Sequence, residues 1–242
     1  MGESTGTAAA PSATARPPSL IRSIVRFLVA AALMAGALFL PSGRLNWSRA
    51  WIYIALTLGV QIVVSVVLHR NRPGLMAERS RMQPGTKWWD KILAPIIAII
   101  GPVAIWLVAG LDLRTQWPPS IGMAWSAAAM VICAAGMVFT FWAMLTNQFF
   151  SATVRLQRDR NQVVVDQGPY GYVRHPGYSG AMLFTILSPI ALGSMLALIP
   201  AVLTAAALTL RTALEDATLR KELNGYADYA RRVRYRLAPW LW

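Results

Sequence analysis

The segment GPYGYVRHPGY at residues 168–178 concentrates charged and hydrogen-bonding side chains in a chain that is otherwise mostly apolar. Pro176 disfavours helical geometry at His175 and can serve as the first residue of a helix, so Arg174 and His175 are predicted to lie in the turn before it. The free N–H groups at such a helix start attract carboxylates and other anions. The segment is therefore a candidate site for a polar or anionic ligand. The alternative is structural: an interface turn with an arginine anchor and an aromatic belt.

A second group of polar residues follows the last apolar run, in RTALEDATLRKELNGYADYARRVRYRLAPW at residues 211–240. Arg211 and Glu215 have the spacing that places two residues on one face of a helix. Glu215 and Asp216 come just after the apolar run, and ionisable residues at a membrane boundary are candidates for a functional role. Here too a structural alternative exists, a solvated helix with salt bridges that are each worth only a few tenths of a kcal/mol.

The motifs of soluble catalytic domains are absent from the sequence. It contains 2 histidines, 1 cysteine and no carboxylates clustered at ligand spacing, so no metal site is predicted. It also lacks G-x-G-x-x-G after a strand, G-x-S-x-G and H-E-x-x-H. Chemistry in this chain is therefore expected to come from the two polar groups above.

The elements that must position these groups are membrane-spanning helices. The chain is 56% hydrophobic and only 14% charged, which excludes an ordinary soluble domain. Apolar runs at 24–40, 50–68, 92–111 and 121–145 approach or exceed the roughly 20 residues that cross a bilayer. The predicted fold is thus an all-α, polytopic transmembrane bundle with four spanning helices, preceded by a disordered segment at residues 1–19 that is rich in Ala, Ser, Thr and Pro.

The charge distribution predicts the orientation of this bundle. The net charge is +13, and the basic residues are concentrated in the N-terminal segment, 69–91, 146–180 and 211–242. Basic and poorly charged segments alternate along the chain, as the positive-inside rule requires for cytoplasmic and external loops. Both termini are therefore expected in the cytoplasm, for a bacterial protein at the inner membrane. The charge then reflects topology and contact with anionic membrane lipids, and no nucleic acid partner is expected.

The last apolar run, residues 181–210, is predicted to fold back on itself. As one helix it would measure about 45 Å, too long for a single crossing without strong tilt. Pro189, Gly193 and Pro200 interrupt it. A hairpin that turns near 189–194 returns the basic tail to the cytoplasm, whereas a single crossing would place the tail outside. We therefore expect two short arms, a cytoplasmic C-terminal helix, and a common cytoplasmic face for segments 146–180 and 211–236.

The two polar groups together resemble the isoprenylcysteine carboxyl methyltransferase family. The resemblance rests on GPYGYVRHPGY, a later R-T-x-x-E-D-x-x-L, then G-Y-x-x-Y and V-R-Y-R-L-A-P, and it extends over residues 145–240. It implies an integral-membrane methyltransferase whose cofactor, S-adenosyl-L-methionine, is held in a cytoplasmic pocket of region 146–242, while a lipophilic acceptor enters from the bilayer. One departure is the acidic pair Glu215-Asp216, where the family's usual pair is two glutamates.

The resemblance also implies roles for individual residues. His175, Tyr178 and backbone donors near Gly168 are expected to hold the adenine and the methionyl carboxylate. Glu215 is expected to accept hydrogen bonds from the ribose or the α-amino group, and Arg174 and Arg211 to orient a carboxylate of the acceptor or the cofactor. The full set of expected cofactor contacts is Gly168, Pro169, Tyr170, His175, Tyr178, Glu215, Tyr226 and Tyr229, the last two closing the pocket from below.

Several alternatives remain open at this point. The acceptor is a carboxylate, an amine or a thiol, and loop 69–91 either covers the pocket or anchors Trp88 and Trp89 at the interface. Membrane reductases with a similar helical C-terminal region use a reduced nicotinamide cofactor, whose phosphates suit a basic pocket. A scaffold or transporter is the non-enzymatic alternative, although a transporter more often carries ionisable residues within its spans.

Overall fold

The computed structural model describes residues 19–80, 82–116, 118–240 and 242, and within these ranges the chain is helical with no strand. The predicted all-α transmembrane bundle is confirmed, since five of the helices in this part of the chain are long and apolar enough to cross a membrane. The helices are α1 (Leu20–Ser42), α2 (Ser48–Asn71), α3 (Pro73–Arg79), α4 (Asp90–Thr115), α5 (Met123–Thr146), α6 (Pro176–Leu192), α7 (Leu198–Glu222) and α8 (Tyr226–Arg232).

The four predicted spans coincide with α1, α2, α4 and α5 to within a few residues. The predicted disordered segment 1–19 lies outside the described residues except for Ser19, whose hydroxyl accepts the Arg22 N–H at 3.4 Å and caps α1. Helix α4 widens into a π-helical turn at Ile96–Ile100, directly after Pro95. Because proline has no N–H to donate, the regular hydrogen-bond ladder is interrupted at that point.

The predicted hairpin is confirmed, but its turn lies further along the chain than expected. Helix α6 continues through Pro189 and ends at Gly193, whose φ of 84° is left-handed. Asp112 of α4 holds the turn, because its carboxylate accepts the Ser194 hydroxyl at 2.5 Å and the Leu196 N–H at 3.2 Å. Pro200 lies in the first turn of α7, where a missing N–H costs nothing.

The expected short arm is found for α6, which has 17 residues, but the second arm is longer than expected. Helix α7 runs unbroken for 25 residues, from Leu198 to Glu222, so the polar residues from Arg211 onwards extend the second arm. No helix breaker occurs between Pro200 and Asn224, and alanine, leucine, glutamate and lysine all favour a helix. The separate helix is only the short α8, which begins after Gly225 in a left-handed conformation with a φ of 80°.

Helices α5 and α6 pack with their backbones in contact at two glycines. A Cβ atom added to Gly180 would lie 2.2 Å from the Gly136 carbonyl oxygen and 2.3 Å from the Thr140 hydroxyl oxygen. Small residues allow such close approach between helices in a membrane. Because α6 begins at the candidate ligand-binding segment, this contact also sets the position of that segment.

We therefore expect Gly180→Ala to destabilise the protein by about 1–3 kcal/mol, as overpacking does, and to lower the temperature of thermal unfolding in detergent. Gly59→Ala is the matched control, because Gly59 of α2 is exposed and an added Cβ meets nothing within 4 Å. This control should leave stability unchanged or raise it slightly. Equal unfolding temperatures for the two variants would contradict the close packing of α5 and α6.

Residues 72–80, 82–90, 147–175 and 223–240 gather at one end of the bundle, which we call the basic end. Glu78 binds Arg155 across two of these segments at 2.9 Å, and Arg174 donates to the carbonyl of Val233 in the third at 2.8 Å. The two polar groups identified in the sequence therefore share one end of the molecule.

Candidate functional site

A cleft opens at the basic end between segment 147–165, the start of α6, the last turns of α7, and α8. It encloses about 900 Å³ of space between atoms, open solvent at its mouth included. Aromatic and aliphatic side chains form most of its walls. The polar groups that line it include Asn147, Gln157, His175, Tyr178 and Glu215.

Asp216 lies beside the cleft and is fully buried, with 0% of its surface exposed. Arg174 binds it with two nitrogens, Nε to Oδ1 at 2.7 Å and an Nη to Oδ2 at 3.1 Å. Arg220 and Arg236 also donate to Oδ2, at 3.0 and 3.1 Å, and the Tyr226 hydroxyl donates to Oδ1 at 3.0 Å. This carboxylate of α7 therefore connects the turn before α6, α8 and the C-terminal segment.

Arg174 is held by protein groups on all sides. Its remaining Nη donates to the carbonyls of Val233 and Arg234 at 2.8 and 2.7 Å. The backbone N–H groups of Arg174 and His175 donate to Tyr235 and Arg236 at 2.9 Å each. The sequence predicted that Arg174 binds a carboxylate of a ligand, whereas the carboxylate it binds in the structure belongs to the protein.

His175, Tyr178 and Glu215 all face the cleft. The rings of His175 and Tyr178 stack with centroids 5.7 Å apart and planes 5° from parallel. The Tyr178 hydroxyl donates to Oε2 of Glu215 at 2.5 Å, and His175 Nε2 lies 3.5 Å from Oδ1 of Asp216. The structure therefore brings together residues that the sequence placed on opposite sides of the hairpin.

Arg211 supports this group from outside the cleft. It binds Asp90 with two nitrogens, at 2.7 and 3.2 Å, and donates to the Ala152 carbonyl at 2.9 Å. Its guanidinium lies 5.2 Å from the centroid of the Tyr178 ring, and Asp90 also accepts the Val154 N–H at 2.6 Å. Arg211 was predicted to bind a carboxylate of a ligand, but the carboxylate that it binds in the structure is that of Asp90. Arg211 therefore positions Tyr178 and the cleft wall.

The predicted backbone donors at residues 168–170 are mostly unavailable. Gly168 and Pro169 are not among the residues that line the cleft, and proline has no N–H. The Tyr170 N–H donates to Gln167 at 3.1 Å. Tyr170 does line the cleft, and its hydroxyl accepts from Asn147 at 3.2 Å.

Tyr226 and Tyr229 lie on α8 and also line the cleft. The Tyr229 hydroxyl donates to the Tyr170 carbonyl at 2.7 Å. Burial raises the pKa of all three tyrosines, Tyr170 included, above the ordinary value, and for Tyr226 the nearby Asp216 carboxylate raises it further. These hydroxyls therefore remain protonated, and those of Tyr226 and Tyr229 donate hydrogen bonds, to Asp216 and to the Tyr170 carbonyl.

The wall formed by residues 147–157 was not identified from the sequence. Phe149, Phe150 and Gln157 line the cleft, and the Gln157 side chain donates to the Phe149 carbonyl at 2.7 Å. Loop 69–91 contacts this wall from behind, for example through the Lys87 N–H to the Val154 carbonyl at 2.9 Å. Asp90 was also missed, although an acidic residue at the start of an apolar run is a recognisable signal for a helix N-terminus.

The charged side chains that line the cleft differ in whether they have an ion-pair partner. Arg155 pairs with Glu78 at 2.9 Å and Asp159 at 2.7 Å, and these two carboxylates hold its pKa above the ordinary value. Arg174 pairs with Asp216. Glu215 is the one carboxylate among the described residues that line the cleft, and its hydrogen-bond partner there is a neutral phenol. The cleft therefore favours a positively charged group near Glu215.

Residues 127–221 match the family model described as the Isoprenylcysteine carboxyl methyltransferase (ICMT) family. The matched region contains most of α5, segment 147–175, all of α6 and α7 to its last residue but one, and with them Arg174, His175 and Glu215. A search of curated proteins gives no match. The family match confirms the resemblance seen in the sequence, over the region that builds most of the cleft.

Proposed function

We propose that the protein is an integral-membrane methyltransferase that transfers the methyl group of S-adenosylmethionine to a lipophilic acceptor reaching the cleft from the bilayer. The family match and the multi-pass helical architecture support a membrane methyltransferase. The observation that carries the choice of cofactor is Glu215, a carboxylate that lines the cleft and has no ion pair among the described residues, while Arg155 and Arg174, which also line the cleft, are paired with other carboxylates.

The residues of the cleft fit this cofactor. A carboxylate beside a polar cleft suits the sulfonium and the α-ammonium, because charged partners strengthen hydrogen bonds and attraction at short range. The stacked rings of His175 and Tyr178 offer a flat surface to a purine. Asn147 and Gln157 position the wall of residues 147–157, since their amides donate to the Tyr170 hydroxyl at 3.2 Å and to the Phe149 carbonyl at 2.7 Å.

Within this proposal the chain contributes binding and orientation. The bound cofactor supplies a methyl group on a positively charged sulfur, which is already a strong electrophile. Glu215, oriented by Tyr178, holds the positive portion of the cofactor, while the aromatic walls exclude water. Arg174 and Arg211 act as positioning residues through Asp216 and Asp90. Holding two reactants in attack geometry accounts for up to roughly 7–11 kcal/mol of a reaction barrier.

The electrostatics weigh against the reductase alternative. A reduced nicotinamide cofactor carries several phosphate charges, which need unpaired cations. Both arginines that line the cleft are engaged by carboxylates of the protein, and Glu215 would repel a phosphate. The methyltransferase therefore accounts for the charges better than a reductase does.

We also propose that the basic end faces the cytoplasm, because Lys and Arg collect in its loops and tail. A cytoplasmic cleft has direct access to a water-soluble cofactor. Labelling of a cysteine introduced at exposed Arg234 or Arg231 with an impermeant thiol reagent tests this orientation, and labelling from the external side alone would contradict it.

The proposal is tested by binding of S-adenosylhomocysteine and of NADPH to the purified protein in detergent. We expect S-adenosylhomocysteine to bind, and His175→Ala to weaken that binding roughly tenfold or more, since a stacked and hydrogen-bonding ring is lost. His69→Ala is the control, because His69 is the other histidine of the chain and is exposed at the end of α2. Binding of NADPH without S-adenosylhomocysteine, or equal affinity in both variants, would contradict the proposed site.

A further inference from the structure

The arginines that line the cleft are already bound by carboxylates of the protein. Two arginines, Arg155 and Arg174, are among the described residues that line it. All three guanidinium nitrogens of Arg155 donate to the carboxylates of Glu78 and Asp159. Arg174 donates with two nitrogens to Asp216 and with the third to two backbone carbonyls. A carboxylate that enters the cleft therefore meets no unpaired guanidinium on the described walls.

Other groups that could hold an anion in the cleft are also engaged. His175 Nε2 lies 3.5 Å from Oδ1 of Asp216, so a positive charge on this ring would be compensated by the protein. At the start of α6, the N–H groups of Tyr178 and Ser179 donate to the His175 carbonyl at 3.0 and 3.1 Å, and Pro176 has no N–H. The start of this helix therefore offers a carboxylate few free donors.

Glu215 gives the cleft the opposite preference. It is half-buried, and it is the one carboxylate among the described residues that line the cleft. The Tyr178 hydroxyl donates to Oε2 at 2.5 Å, and no other hydrogen-bond donor contacts this carboxylate in the part of the chain that the structure describes. Oε1 is therefore open to a ligand. A half-buried carboxylate repels an anion and attracts a cation at short range.

Aromatic rings around this carboxylate add to the same preference. The face of an aromatic ring carries partial negative charge, so it attracts cations and repels anions. The hydroxyls of Tyr178, Tyr226 and Tyr229 already donate to groups of the protein, so they have no proton left for a ligand carboxylate. A carboxylate within an aromatic wall is a combination that recognises ammonium groups. The six Phe and Tyr rings that line the cleft are those of Phe149, Phe150, Tyr170, Tyr178, Tyr226 and Tyr229.

We propose that the lipophilic acceptor is an amine, which enters as an ammonium held at Oε1 of Glu215 and is methylated at nitrogen. The apolar chain of the acceptor lies against apolar side chains of the cleft itself, among them Leu156, Leu219 and Leu223. This inference rests on the proposed methyltransferase function, because it assigns the acceptor of the same site. The acceptor differs from the carboxyl group in the description of the matched family.

The same carboxylate takes the proton that the acceptor must lose. An ammonium nitrogen has no lone pair, so it can attack only after a proton has moved from the nitrogen to Oε1 of Glu215. A positively charged sulfur nearby favours this transfer, because a like charge disfavours the protonated amine. The nitrogen lone pair then forms the bond to the methyl carbon, the carbon–sulfur bond breaks, and its electron pair stays on sulfur as a neutral thioether. The product is a methylated ammonium, and the proton on Glu215 passes to water as the products leave.

The test compares dodecylamine, dodecanol and dodecanoic acid, which have nearly the same alkyl chain and differ in the charge of the head group. Their equilibrium binding is measured at about pH 8, where the amine is protonated and the acid ionised. The full-length protein is held in phosphatidylcholine nanodiscs with saturating S-adenosylhomocysteine, and binding to empty nanodiscs is subtracted. We expect wild-type protein to bind dodecylamine at least about tenfold more tightly than dodecanol, and dodecanoic acid no more tightly than dodecanol.

In Glu215→Gln the affinity for dodecylamine should fall to that for dodecanol, because the amide keeps the shape of the side chain but not its charge. Glu222→Gln should keep the preference for the amine, because Glu222 lies on the same helix, pairs with Lys87 and is not among the residues that line the cleft. Wild-type protein without this preference, or a preference that survives in Glu215→Gln, would overturn the inference and leave the proposed function intact. Wild-type protein that fails to bind S-adenosylhomocysteine would instead overturn the proposed function. The comparison of the three probes in wild-type protein needs no variant, so it decides the inference even if Glu215→Gln does not fold.

Methyl transfer identifies the atom that is modified. With methyl-labelled S-adenosylmethionine in place of S-adenosylhomocysteine, we expect the label in dodecylamine and none in dodecanoic acid or dodecanethiol. A labelled ester or thioether without labelled amine would overturn the inference. Nanodiscs that contain phosphatidylethanolamine and no probe distinguish two sources of the amine. Label in this phospholipid indicates a lipid head group, label in dodecylamine alone indicates a free amine, and either result supports the inference.

Discussion

Replacing Asp216 by asparagine is expected to cost about 3–5 kcal/mol of the free energy of unfolding, the usual result of breaking a buried ion pair, and to abolish binding of S-adenosylhomocysteine. Asparagine has nearly the same shape, so the loss arises from charge rather than packing. Asp216 is fully buried and binds Arg174, itself buried, together with the partly exposed Arg220 and Arg236. Without its charge, Arg174 remains buried and uncompensated beside the cleft.

The measurement is thermal unfolding in detergent, combined with calorimetric titration of S-adenosylhomocysteine. Asp228→Asn serves as the control, because Asp228 pairs with Arg231 where both side chains are more than two thirds exposed, at 69% and 79%. Such a surface pair contributes at most about 1 kcal/mol, and its loss should change neither readout. An Asp216→Asn protein as stable as Asp228→Asn would contradict the central role of this carboxylate.

Asp216 and Glu215 are adjacent in sequence but serve different parts of the site. Successive residues of a helix point about 100° apart, so Glu215 faces Tyr178 and the cleft while Asp216 faces Arg174 and α8. The predicted common face of Arg211 and Glu215 is confirmed, since both contact Tyr178, one at the ring and one at the hydroxyl. Asp216, where the family usually has a second glutamate, is therefore a residue that holds structural elements together, and it is Glu215 that faces the cleft.

The sequence predicted the spans and the hairpin because hydropathy and charge are local signals that add up over 20 or more residues. It placed the start of the turn a few residues too early because both Pro189 and Gly193 are possible breakers, and the proline is compatible with a helix near its end. The left-handed conformation that Gly193 adopts depends on Asp112 and Ser194, which are 82 positions apart. A contact between residues so far apart in the chain cannot be recognised from the local sequence around either of them.

The candidate site could be predicted only in part, because some of its contacts also join residues that are far apart in the chain. The hairpin was sufficient to bring Arg174 and His175 near Glu215. It did not indicate that Arg211 would find Asp90, 121 positions earlier.

Replacing Glu215 by glutamine is expected to lower methyl transfer by about 10- to 100-fold or more, which corresponds to the roughly 1.5–3 kcal/mol of a hydrogen bond to a charged group. The fold should persist, because the amide oxygen can still accept the Tyr178 hydroxyl. The charge matters most for the sulfonium, so affinity for S-adenosylmethionine should fall further than affinity for S-adenosylhomocysteine, which lacks that charge. Titration of both ligands into the same preparation measures the difference.

Glu222→Gln is the matched control for this prediction. Glu222 lies two helical turns further along α7, is not among the residues that line the cleft, and pairs with Lys87 at a distance of 2.6 Å. Both side chains of that pair are about 30% exposed, at 30% and 28%, so its loss should affect stability slightly and the ratio of the two affinities not at all. An equal fall for both ligands in Glu215→Gln would show that the carboxylate contacts the amino acid or ribose part rather than the sulfonium. Unchanged affinity for both, in folded protein, would remove Glu215 from the cofactor site and with it the electrostatic basis for choosing S-adenosylmethionine.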